Sequence, residues 1–360
     1  MRVAFLGLSG SGKTTLFNAL TGSHQTPGTH SGAGSQIHIG RIPIDDGRLD
    51  IVRRAFKPAK ITPAVVEVVD TPHLAVSARE NREGNPRLMA TLREAQALGL
   101  VVRAFANDRV AHPRLSVDPM RDLRDLKTEM VVADLDVVER RIDHIQKDYQ
   151  KGNSSPNDPK ELAVLERVKK ELDAGRGAGA AKLNVDELKM LSSFALLTLK
   201  PALIILNVDE SHLLGATPRP WNGVDLGYPS IEVDAEWEME IHELPKEEWG
   251  AYLADMKIAD PCDRRFAAAV YKMMDFITFF TANENELRAW PLKRYSTAID
   301  AAASVHSDMA RGFIRAEVIA VEDLKKLGSI KDARSRGKER LEGRTGPILD
   351  GDLVHFRFSV

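Results

Sequence analysis

The chain has 360 residues, 43% of them hydrophobic and 28% charged, with a formal net charge of −2. This length holds two or three domains, and the near-neutral balance excludes bulk electrostatic attraction to nucleic acid while leaving local basic patches open. The single cysteine, Cys262, excludes an intrachain disulfide and a cysteine-built metal site, and no apolar run reaches the ~18–20 residues of a membrane span. An apolar strand begins at Val3, which leaves no room for a signal peptide, so the expected compartment is the cytoplasm.

Val3–Leu6 predicts a buried strand, and Leu16–Leu20, closed by Thr21 and Gly22, predicts a helix. Between them Gly7-Leu8-Ser9-Gly10-Ser11-Gly12-Lys13-Thr14-Thr15 fits G-x-x-x-x-G-K-[ST] in full, in the strand–loop–helix setting that a phosphate-binding loop requires. Ser9 to Thr15 are therefore expected to bind a nucleoside triphosphate, the backbone amides of Gly10 to Thr15 cradling its phosphates. Lys13 is expected to reach the β- and γ-phosphates and to stabilise the transferred charge. The Thr14 hydroxyl is expected in the Mg²⁺ shell.

Residues 23–36 are polar and rich in glycine and serine, which fits either switch I of a GTPase-like fold or a plain flexible loop. Ile37–Ile44 predicts a strand and Asp45-Asp46-Gly47 a turn. Ala64–Val69 predicts a buried strand ending on Asp70, the position from which a P-loop protein holds Mg²⁺ through water; the alternative is an aspartate capping a turn before Pro72. His73 stands where many GTPases place the glycine that senses the γ-phosphate. Residues 75–86 are expected to form switch II.

Arg87–Ala97 predicts a helix and Leu98–Phe105 a buried strand. From Asp118 onward, Leu123, Leu126, Met130, Val131, Leu135, Val138, Ile142 and Ile145 recur at helical spacing; Gly152–Pro156 breaks the pattern, and Pro159–Ala174 resumes it. The two helices predict an antiparallel hairpin, read either as an insertion with solvated faces or as a docking arm. Pro201–Leu206 is an apolar strand that delivers Asn207-Val208-Asp209-Glu210 where GTPases carry N-K-x-D. With Val208 for lysine and Glu210 for aspartate, the bidentate guanine contact is lost, so Asn207, Val208 and Glu210 are expected to read the base with weakened guanine preference. The other reading is an ordinary strand-to-turn cluster. Pro229–Val233 predicts the next strand, and Val233, Asp234 and Ala235 the last base-contacting loop.

Residues 236–276 read as mostly helical. Ile277–Ala282 and Glu286–Leu292 predict a hairpin around Asn283-Glu284-Asn285, followed by a helix at Ala298–Ser304 and strands at Gly312–Ile319 and Leu353–Phe358. That order is a small α+β module with its own core. Lys325–Arg344 within it is strongly basic, either a solvated surface or a contact for RNA phosphates.

These residues carry a resemblance to the YchF-type members of the Obg family, the Obg-like ATPases, along essentially the whole chain. The P-loop with Leu16–Thr21, Val101–Phe105, Val117–Asp122, Ala133–Leu135 and Asn207–Glu210 resemble its nucleotide domain and arm. Phe279–Ala282, Arg288–Trp290, His306–Asp308, Gly312–Val318, Leu341–Gly343 and Asp350–Asp352 resemble its C-terminal domain. The resemblance implies an α/β fold: a P-loop NTPase (GTPase-like) domain at 1–117 and 198–276, an inserted antiparallel helical hairpin at 118–197, and a C-terminal ubiquitin-like α+β (TGS) domain at 277–360. It also implies a molecular switch that binds ATP, with GTP as the alternative, and hydrolyses it slowly with Mg²⁺. The implied partner is the ribosome or another RNA-containing particle, engaged by the arm and the TGS domain, without a membrane.

Four departures bear on catalysis. Ser9-Gly10-Ser11 replaces the family's Pro-Asn-Val, no threonine lies between Gly34 and His38, His73 replaces a glycine, and Leu74 stands where catalytic GTPases place glutamine. They weaken γ-phosphate sensing more than binding, so a nucleotide-binding regulator without hydrolysis is the rival reading. A small-molecule kinase is a further rival suggested by the loop, although no arginine-bearing lid is evident.

Overall fold

A computed structural model describes residues 1–25, 37–74, 86–153, 155–245 and 247–359. The switch I stretch falls almost wholly, and switch II apart from Pro86, outside the described residues. The chain divides into two compact units, one formed by residues 2–40 and 68–262, the other by Met1, residues 41–67 and residues 263–360.

The first unit is built on strands β1 (Arg2–Leu6), β2 (His38–Pro43), β4 (Val65–Asp70), β5 (Ala97–Arg103), β6 (Ala202–Asn207) and β7 (Ser230–Val233), in the sheet order β2-β4-β1-β5-β6-β7. β1 pairs parallel with β5, β5 with β6 and β6 with β7. Strands buried on both faces need continuous apolar runs, and β5 and β6 supply them with every residue buried. Parallel pairing brings the carboxyl ends of β1, β5, β6 and β7 to one edge, where an open α/β sheet binds its ligands.

The helix Pro119–Gln150 starts on a cap: Asp118 Oδ1 accepts from the backbone N–H groups of Met120 (3.1 Å) and Arg121 (3.0 Å), with proline in the first turn. Its first turns place Leu123, Leu126 and Met130 in the core of the sheet. Further along, Val138, Ile142 and Ile145 pack with Leu165, Val168 and Leu172 of the helix Asp158–Asp173, which is the expected hairpin. At its base Asp134 is fully buried and accepts hydrogen bonds from Leu197 N, Thr198 N and Thr198 Oγ1, each at 2.8 Å. A short helix at Val185–Leu191, absent from the sequence reading, closes the arm with a capping box between Asn184 and Glu187.

In the second unit, β8 (Phe276–Ala282) and β9 (Glu286–Lys293) form the predicted hairpin. Asn283 Oδ1 accepts from the N–H groups of Asn285 and Glu286, both at 2.8 Å, an Asx-type turn. With β10 (Phe313–Ala320), β11 (Glu339–Glu342) and β12 (Asp352–Phe358) the order is β11-β10-β12-β8-β9, and the first and last strands, β8 and β12, lie side by side and parallel, as in a ubiquitin-like module. A sixth strand, β3 (Lys60–Thr62), joins the edge of β9. The helix Arg48–Phe56 inserts Val52, fully buried, among Phe280, Leu287, Ala289 and Leu353. Thus the part of residues 41–67 that carries this helix and β3, assigned from sequence to the nucleotide domain, packs in the C-terminal module, while residues 41–43 and 65–67 complete β2 and β4. In the basic stretch Lys325–Arg344, three side chains are paired inside that module, Arg334 with Glu339 (2.7 Å), Lys338 with Asp323 (3.6 Å) and Arg340 with Asp352 (2.5 Å).

Candidate functional site

The loop after β1 turns on Gly10 and Gly12, at φ +70° and +84°, a left-handed conformation that costs a side-chain-bearing residue dearly. Gly12 opens the helix Lys13–Thr21, whose first N–H groups have no intrahelical acceptor and point into the loop. Lys13 is 7% exposed and lies back along the loop, Nζ donating to the carbonyls of Gly7 (2.9 Å) and Leu8 (3.1 Å). Burial lowers its ammonium to about 8, with nearby Asp70 opposing the shift.

Thr14 Oγ1 donates to Asp70 Oδ2 at 2.8 Å, so two residues 56 positions apart meet as their motif predicts. Burial pushes the Asp70 carboxyl up, against the hydrogen bond from Thr14 and the charge of Lys13. Its second oxygen, Oδ1, is buried and has no hydrogen-bond partner among the described residues. Thr14 Oγ1 and Asp70 are hard oxygen donors suited to Mg²⁺, a cation that binds through few protein groups and keeps several waters.

Asn207, at the end of β6, donates from Nδ2 to Ser11 O (3.1 Å) and accepts at Oδ1 from Ala235 N (3.1 Å). It ties the phosphate loop to the loop after β7, and both ends of its amide are engaged. Val208 corrects the sequence reading: it is 1% exposed in the hydrophobic core, and its N–H is spent on Val233 O (2.9 Å), so its side chain does not line a ligand surface. Val233 is also core. Asp209 caps the short helix Glu210–Leu213, accepting at Oδ1 from Ser211 Oγ, His212 N and His212 Nδ1, and Glu210 is left exposed. Asp234 caps the helix Ala235–Glu243 through Trp237 N (3.1 Å), and burial pushes its carboxyl up to about 6.

Sequence reasoning missed a charged group behind the phosphate loop. Arg103, 3% exposed at the end of β5, donates to the carbonyls of Phe105 (3.2 Å), Asn107 (2.9 Å) and Val110 (2.9 Å) and stacks on the Phe105 ring. His112 Nδ1 accepts from Arg114 N (3.0 Å), which assigns the proton to Nε2, donated to Asp122 Oδ2 at 2.8 Å. The bend they build approaches Gly10 so closely that a β-carbon there would stand 3.0 Å from Val110 Cγ1. An arginine closing an apolar strand was the available signal, since a buried guanidinium must find carbonyl partners.

Residues 2–138 match the family described as 50S ribosome-binding GTPase, and residues 276–359 match the YchF GTPase C-terminal family, described as a protein of unknown function. The ribosome-binding ATPase YchF of Haemophilus influenzae is 36% identical over 365 residues, covering 100% of this chain and 99% of the relative. The chain belongs to the YchF family. The Bacillus subtilis member, also named ribosome-binding ATPase YchF, is 31% identical over 100% of both chains, and Obg-like ATPase 1 of Caenorhabditis elegans is 29% identical over 100% of this chain and 92% of its own. Among solved structures, the Schizosaccharomyces pombe YchF GTPase superposes with a TM-score of 0.80 at 22% identity, covering 99% of this chain and 97% of that one. The YchF fold therefore spans both units, a P-loop GTPase-type domain and a C-terminal α/β module.

Proposed function

We propose that this YchF-family protein is a cytoplasmic, ATP-preferring switch that binds the ribosome, hydrolyses its nucleotide slowly with Mg²⁺, and uses the helical arm and the C-terminal, TGS-type module as its docking elements. The observation that carries the nucleotide part is the meeting of Thr14 with Asp70 beside the buried Lys13 on a complete phosphate loop. The ribosome part rests on family relatives named ribosome-binding ATPase at 31–36% identity.

In this reading the amides of Ser9 to Thr15 hold the phosphates, Lys13 swings from its carbonyls to the β- and γ-phosphates, and Thr14 and Asp70 hold Mg²⁺. The metal, when bound, neutralises charge building on the phosphate oxygens. Glu210 and the turn at Asp234 and Ala235 border the base, and Asn207 braces that border. Leu74 is buried, with its N–H donated to Gly7 O (3.0 Å), so no side chain at that position orients the attacking water, which supports slow hydrolysis.

The same observation favours a second reading, a regulator that distinguishes ATP from ADP without turnover. Comparing wild type with Lys13→Ala at saturating ATP separates the two. Turnover at least tenfold above the variant supports the ATPase; equal rates leave only the regulator. Co-sedimentation with ribosomes in ATP and in ADP tests the partner, and equal absence from the pellet in both states sinks it.

A further inference from the structure

His38 opens β2 beside the metal-holding carboxylate, its Nδ1 3.8 Å from Asp70 Oδ2. This separation is beyond hydrogen-bonding distance. Among the described residues neither His38 Nδ1 nor Asp70 Oδ1, both buried, has a hydrogen-bond partner, whereas Asp70 Oδ2 accepts from Thr14. Buried polar atoms without partners are rare because each forfeits its hydration, and two of them on adjoining side chains call for a shared ligand. The ring leans on Phe17, centroids 6.3 Å apart, which holds the imidazole beside Asp70.

Mg²⁺ held by one hydroxyl and one carboxylate retains waters, each a strong donor that needs an acceptor. A neutral imidazole protonated on Nε2 presents Nδ1 as such an acceptor. We propose that His38 is an outer-shell residue of the Mg²⁺ site, its Nδ1 accepting a hydrogen bond from a metal-bound water that Asp70 also holds. The inference rests on the nucleotide-binding reading above. It gives His38 the role of orienting the metal's water shell from the start of β2, without touching the nucleotide.

The test is a Mg²⁺ titration of fluorescent-ADP binding by wild type, His38→Ala and His38→Gln, with a parallel series in EDTA. His38→Ala is expected to raise the Mg²⁺ concentration at half-saturation about tenfold while leaving metal-free ADP affinity unchanged. His38→Gln, whose side-chain carbonyl is again an acceptor, should recover most of the loss. An unchanged Mg²⁺ midpoint in His38→Ala overturns the proposal, and so does an equal loss in EDTA, which would make His38 a support of the nucleotide pocket. Failure of the wild type to bind ADP with or without Mg²⁺ would instead overturn the nucleotide reading, and this one with it.

Discussion

The side-chain amide of Asn207 occupies the space into which a β-carbon on Gly12 would project, so any larger residue at position 12 would collide with its Nδ2. Gly12 is thus constrained twice, by its left-handed φ of +84° and by this neighbour. Gly12→Ala is expected to abolish ATP binding by calorimetry.

Asn207→Ala removes two buried hydrogen bonds and is expected to cost about 2 kcal/mol in urea unfolding. Because the amide braces the site, ATP and GTP affinities should fall by the same factor. A change in their ratio would mean that Asn207 contacts the base after all.

Lys13 predicts a specific pH dependence. Its free-state value of about 8 lies below that of the phosphate-bound amine, because phosphate favours the charged form. Binding must therefore take up a proton at alkaline pH. ATP affinity should be flat below pH 7 and fall about tenfold per unit between pH 8 and 10. Calorimetry in buffers of different ionisation heat would count the proton, and a flat profile to pH 10 would refute the assignment.

Asp234 makes an opposite contribution. Its folded value, about 6, is higher than the unfolded 3.8, so the folded state takes up the proton first and gains stability as pH falls from about 6 toward 4. Asp234→Asn keeps a good cap and removes the buried charge; it should flatten this slope and not lower the melting temperature at pH 7.5. Asp234→Ala, which loses the cap to Trp237 N, should lose about 1 kcal/mol.

Val52 reports on the C-terminal module although it lies far from it in sequence. Val52→Ala is expected to destabilise by about 2 kcal/mol and to accelerate amide hydrogen exchange in β8 and β9. Exchange in β1 and β5 should be unchanged. Acceleration confined to the latter strands would contradict the assignment of the helix Arg48–Phe56 to that module.

What the sequence carried locally, it carried well. β1, β5 and β6 are apolar runs, and the motif between β1 and its helix is read from consecutive residues. The pairing of Thr14 with Asp70 was legible because the phosphate-loop fold fixes both ends. The helix Arg48–Phe56 was not, since it is short, only Val52 in it is fully buried, and most of the surface it covers is encoded after residue 275. Val208 was misread because its place in the motif suggested a ligand contact, whereas an apolar residue flanked by buried strand ends packs inward. Arg103, His112 and Asp122 escaped because their partners are carbonyls and one another, arranged by a bend that no periodicity announces.

The early placement of residues 41–67 also sets an order on biosynthesis. A chain emerging from its N-terminus makes the helix Arg48–Phe56 and β3 long before β8, β9 and β12 exist to receive them. Until the last strand is synthesised, Val52 and its neighbours have no native surface to cover, and the nascent protein carries an apolar face open to chaperones or to wrong partners. Truncation anywhere before β12 should therefore damage the beginning of the chain as well as its end.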